Sequence, residues 1–158
     1  MVILRIWYPE RADRLHAGYS SIQISGPTGA AYMSLRPVKS DANTTPHGRT
    51  ASLADDVKAE GAEPQHVWNF SRLDEKRMLV IWDQHIGIHL KADAKLASHD
   101  CFQFCDKILL AGQGVVVDAL ATSSLTDRAH GALRTSTLAL TALQLAARAD
   151  EYLKVKHW

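Results

Sequence analysis

Val2-Ile3-Leu4-Arg5-Ile6-Trp7-Tyr8 is apolar at nearly every position and rich in β-branched and aromatic residues, with Pro9 closing it. That pattern predicts a strand buried on both faces, and so central in a sheet. Residues 19–25 alternate: Ile22 and Ile24 fall on one side, Ser21, Gln23 and Ser25 on the other. Gly26-Pro27-Thr28-Gly29 is a turn signal, and apolar positions resume from Ala30 to Leu35. Residues 19–36 therefore predict a β-hairpin with a four-residue loop. His66 to Phe70 predicts a fourth short strand, with His66 at its edge.

Beyond residue 70 the apolar period lengthens. Met78, Leu79, Ile81, Trp82 and Ile86 recur at helical spacing. They predict a helix over 74–85, with Ser71 as N-cap, Asp74 at the capping-box position and Gly87 as its stop. Cys101 to Ala111 predicts a buried helix ended by Gly112 and Gly114. Ser136 to Lys154 predicts the longest helix, with Leu138, Leu143, Leu145, Ala146, Ala149, Tyr152 and Leu153 turned inward. Val115 to Val117 reads as a strand or a loop packed on the core. Residues 38–64 are rich in Gly, Pro, Ser, Asn and Thr and predict a long loop holding a short helix near 53–59, with Asp55 and Asp56 as a solvated pair. Residues 10–18, 91–98 and 123–127 read as polar connections. Strands first and helices second predict an α+β fold.

Composition narrows the function classes. The chain of 158 residues fits a single domain, with its core over 1–115 and a C-terminal helix over 136–154. Eighteen Lys and Arg against seventeen Asp and Glu leave a net charge of +1, which carries no electrostatic footprint for nucleic acid. No apolar run reaches the roughly 20 residues of a membrane span. Arg5 interrupts the apolar N-terminal stretch, which lacks a signal-peptide layout. The expectation is a cytoplasmic protein, or one exported by a route that needs no such signal. Two cysteines are too few for a disulfide framework or a four-thiolate zinc site. His85 and His89 are four apart, but Gly87 between them and the lack of a carboxylate at ligand spacing argue against zinc. Gly112-Gln113-Gly114 lacks the third glycine of a dinucleotide loop. No cofactor and no metal are expected. Trp7, Trp68 and Trp82 sit in apolar periodic segments and read as core. His47, His130 and His157 read as surface positions.

Cys101 is the candidate for chemistry, because it stands where a polar loop becomes a helix. The first turn of a helix has unpaired N–H groups and partial positive charge, which favour a thiolate, the nucleophilic form. Cys105, one turn on, shares a face with Cys101 and Leu109 and reads as a small buried residue.

The segment "HDCFQFCDKILLAGQG" resembles the Asn-Cys motif of circularly permuted papain-like proteins, relatives of the NlpC-type amidases and of lecithin:retinol acyltransferase. "GYSSIQISGPTGAAYMSLRP" is similar to the hairpin upstream of that cysteine in many bacterial members. "VWNFSRLDEKRMLVIW" is similar to the strand and helix between the two motifs. The likeness spans roughly residues 17–115. It implies a papain-like fold in permuted order, a small antiparallel sheet on helices, and Cys101 as nucleophile toward an amide or ester carbonyl. It also implies a protein or peptide substrate and, by analogy, a bacterial effector or toxin.

The chain departs from the family pattern at two places. Asp100 replaces the usual Asn, and Tyr19 stands in the slot of the catalytic histidine. A phenol with an ordinary pKa near 10 is a poor base at neutral pH. Three readings stay open: a catalytically inactive binding or inhibitory module, another histidine serving the site, or a shifted strand alignment. His16, three residues before Tyr19, is the nearest substitute base, and His99, two residues before Cys101, is a further one.

Overall fold

Period-two alternation decides which face of the sheet is dry. The computed structural model describes residues 1–8, 18–27, 29–37, 48–50, 52–89, 100–115 and 141–154. Four strands, β1 (Val2–Trp7), β2 (Tyr19–Gly26), β3 (Gly29–Met33) and β6 (His66–Phe70), form an antiparallel sheet in the order β3-β2-β1-β6. Val2, Leu4 and Ile6 of β1, Ile22 and Ile24 of β2, Met33 of β3, and Trp68 and Phe70 of β6 are in register on one face and buried. The four strands and the inner place of β1 agree with the sequence expectation, and His66 does lie on the edge strand. The hairpin ladder runs one pair further than expected, closing at Gly26 and Gly29, where Gly29 has φ +141.

The strand expected over 30–36 breaks at Ser34. Beyond it β4 (Leu35–Pro37) leaves the main sheet and pairs with β5 (Gly48–Thr50), a strand inside the segment read as loop. Helix α1 (Leu53–Glu60) follows, started by a capping box in which Ser52 and Asp55 bond each other's backbone N–H, and ended by Gly61 in the left-handed region.

Helix α2 spans Glu75–His89, with Asp74 rather than Ser71 as its cap: Asp74 Oδ1 accepts from the Arg77 N–H at 3.1 Å. The helix runs through Gly87. A helical glycine costs about 1 kcal/mol relative to Ala, which does not force a stop. Helix α3 (Asp100–Gly112) packs on β2 and α2, and its carbonyl at Gly112 accepts from the Asp74 N–H at 2.8 Å. Helix α4 (Ala142–Lys154) is capped by Thr141 and Gln144, which bond each other's N–H groups. Its inward stripe is Ala142, Leu145, Ala146 and Ala149. Leu143, read as inward, is 71% exposed, and Leu153 also faces out. Alanines let α4 approach closely, and Arg148, Asp150 and Tyr152 supply the contacts that two leucines were expected to make.

Trp7, Trp68 and Trp82 are buried, as expected. The expectations for His16, His47, His99, His130, His157, Leu138, Val116 and Val117, and for the connections 10–17, 38–47, 91–98 and 123–127, lie outside the described residues.

Candidate functional site

Helix α3 brings the cysteines to the sheet. Ser20, on the helix-facing side of β2 with Ile22 and Ile24, donates to Cys105 Sγ at 3.3 Å. The far end of α3, at Gly112, meets Met78 and Leu73 at the start of α2, and Gly26 at the end of β2 meets Glu75 there too. Helix α3 thus runs in the same direction as β2. Cys101, one turn before Cys105, lies toward the end of β2 that begins with Tyr19. Cys101 is in the first turn of α3, as read from the sequence, and is 4% exposed.

The two thiols differ in chemistry. Burial pushes the Cys105 thiol well above its ordinary range, more than the Ser20 hydrogen bond lowers it. Cys105 is a packed side chain, in keeping with the sequence reading.

Tyr19 is buried and points to the opposite sheet face, in register with Trp7 and 6.0 Å from that ring centroid. Its hydroxyl shares a 2.7 Å hydrogen bond with Ser34 Oγ. Ser34 Oγ donates to Asp56 Oδ1 at 3.1 Å, and Tyr32 Oη to Asp56 Oδ2 at 2.7 Å. Tyr32 Oη also lies 2.8 Å from Ser21 Oγ. Asp56, read from the sequence as solvated, is 0% exposed. Its place in α1, straight after the Ser52–Asp55 capping box, turns it under the sheet while Asp55 stays at the helix end. Two hydroxyl donors on one carboxylate make this burial affordable. Burial raises the Tyr32 hydroxyl far above the phenol range, so it stays protonated and donates.

The structure therefore places Cys101 at the Tyr19 end of β2 but ties the Tyr19 phenol to Ser34 on the other side of the strand. His16 lies outside the described residues. Sequence reasoning missed the Tyr19-Ser34-Asp56-Tyr32-Ser21 network. A signal for half of it was present, since Ser21 and Tyr32 fall on one face of the predicted hairpin.

A second buried carboxylate lies on α3. Asp106 pairs with Arg148 of α4 and accepts from the Tyr152 hydroxyl at 2.9 Å. Trp68 Nε1 of β6 donates to Asp150 Oδ1 at 2.9 Å. These bonds dock α4. Among the described residues, no group of three or more His, Cys, Asp or Glu is placed to hold a metal ion, and no helix is long and apolar enough to cross a membrane.

Comparison with protein-family models, with curated proteins and with solved structures finds no match for this chain.

Proposed function

We propose that this domain is papain-like in circularly permuted order and performs cysteine-dependent acyl transfer on an amide or ester carbonyl, as a hydrolase or a transferase. The observation that supports it is the helix-start Cys101 at the end of the strand that begins with Tyr19. In this reading an imidazole takes the Cys101 thiol proton, and the sulfur attacks the carbonyl carbon. The tetrahedral adduct expels an amine or alcohol, which takes that proton and leaves a thioester on Cys101. Water or an acceptor then cleaves the thioester and regenerates the thiol. His16 is the sequence's candidate for the imidazole. Tyr19 fills the usual imidazole slot, held by Ser34.

p-Nitrophenyl acetate tests the reading without knowledge of the natural substrate. The expected result is a burst of p-nitrophenol equal to the protein concentration, lost in Cys101→Ala and kept in Cys105→Ala. A burst that survives Cys101→Ala would remove the nucleophile.

The Tyr19–Ser34 hydrogen bond favours a second reading, an inactive binding or inhibitory module on the same scaffold. A phenol whose hydroxyl is bound within a buried network is a structural group, not a base. Under this reading the wild-type protein gives no burst.

A further inference from the structure

Trp82, His85 and Met78 of α2 settle how α2 lies on α3. Met78 meets Gly112, and Trp82 packs on Phe104 at 5.2 Å between centroids, its ring tilted by 46°. His85 lies on the same Phe104 ring at 4.4 Å, nearly parallel to it at 29°. Advancing along α2 from residue 78 to 85 thus means retreating along α3 from 112 toward its start. Phe104 meets both rings, and His85, further along α2, lies on the side nearer Cys101. Phe104 and Cys101 are three apart on α3, so their side chains are neighbours, with Cβ atoms about 5–6 Å apart. His85 is 6% exposed, so its imidazole belongs to the interior with Cys101 rather than to solvent.

Three other titratable groups on the neighbouring elements are held by hydrogen bonds. Cys105 is bonded to Ser20, Asp106 to Arg148 and Tyr152, and Tyr19 to Ser34. Lys107 leaves α3 about 120° around its axis from Cys101. Resting on the acyl-transfer reading above, we infer that His85 is the imidazole that takes the Cys101 thiol proton, in place of the histidine that Tyr19 displaces. The proton passes from the Cys101 sulfur to the imidazole, and from the imidazolium to the departing amine or alcohol. Stacking on Phe104 sets the plane of the ring, the orienting task that a third polar residue performs in Cys-His sites. The site would then draw its base from a helix rather than from the sheet.

The test is the rate of iodoacetamide alkylation of the full chain between pH 5 and 10, with mass spectrometry assigning the label to Cys101 or Cys105. His85→Phe keeps an aromatic ring on Phe104, and its thermal melt checks that it folds. The expected result is a Cys101 profile with its midpoint below the free-thiol value near 8.5 in the wild type. In His85→Phe the rate at pH 6.5 should fall about 10-fold or more, with no change at pH 10. If His85→Phe does not fold, ring NMR of His85 decides: carboxamidomethylation of Cys101 should move its titration. A wild-type profile already centred near 8.5 overturns the acyl-transfer reading and this inference with it. A low midpoint that ignores His85→Phe but moves in His16→Ala overturns this inference alone, as do His85 resonances unmoved by blocking Cys101.

Discussion

The Ser20 hydroxyl donates to the Cys105 sulfur across 3.3 Å, a polar contact between sheet and helix inside an otherwise apolar interface. It joins the second residue of β2 to the second turn of α3 and so sets the height of Cys101 against that strand. Burial raises the Cys105 thiol pKa, which lowers its thiolate fraction at any neutral pH. Iodoacetamide at pH 7.5 should leave Cys105 unlabelled in the native protein and label it in urea. Native labelling of Cys105 at the rate of a free thiol would contradict the closed interface.

Asp56 carries the network under β2 and β3. Asp56→Ala removes the acceptor of both the Ser34 and the Tyr32 hydroxyls, leaving buried donors unsatisfied. The expected loss is about 2–4 kcal/mol in urea unfolding. Asp56→Asn keeps one acceptor oxygen and should lose less. Equal losses for the two variants would show that packing, not hydrogen bonding, holds that position.

Asp106 makes stability depend on pH in a direction opposite to most paired carboxylates. Desolvation raises its pKa above 3.8, outweighing Arg148 and the Tyr152 hydrogen bond, which lower it. The folded state therefore holds this proton more tightly than the unfolded state. The contribution is fully present below the unfolded pKa near 3.9 and is lost as pH rises through the folded value. The difference in unfolding free energy between wild type and Asp106→Asn should thus favour the wild type more at pH 4 than at pH 7. A difference that grows with pH instead would mean that Arg148 outweighs the burial.

Gly112 is a point of close approach. A Cβ there would lie 2.8 Å from Met78 Sδ and 3.1 Å from Leu73 Cβ. In an open helix Gly→Ala stabilises by up to about 1 kcal/mol. Here Gly112→Ala should cost about 1–3 kcal/mol, as overpacking does. A rise in melting temperature for this variant would show that α2 and α3 can separate freely.

Local pattern by itself determined most elements of this protein, because period and burial are coupled through backbone geometry alone. Residues 2–7, apolar but for Arg5, became an inner strand; the alternation at Ser21, Ile22, Gln23 and Ile24 set the two faces of β2. The start of α3 at Cys101 and its end at Gly112 were equally legible. Tertiary structure decided what depends on neighbours distant in sequence. Asp56 is charged and follows another aspartate, so its own side chain gives no local sign that it differs from solvated Asp55. It is buried because Tyr32 and Ser34, more than 20 residues earlier, offer it two hydrogen bonds. Leu143 reads as core by hydropathy, yet the Asp106–Arg148 pair and the Trp68–Asp150 bond rotate α4 so that its alanines face inward. Gly87 reads as a stop, but the cost of one helical glycine is small beside the packing of Trp82 and His85 on Phe104, which holds α2 in place. The candidate site divides the same way. Cys101 was visible from its place at a helix start, a local property. The Tyr19–Ser34 bond and the side on which His85 lies exist only once the sheet and α2 are packed against α1 and α3.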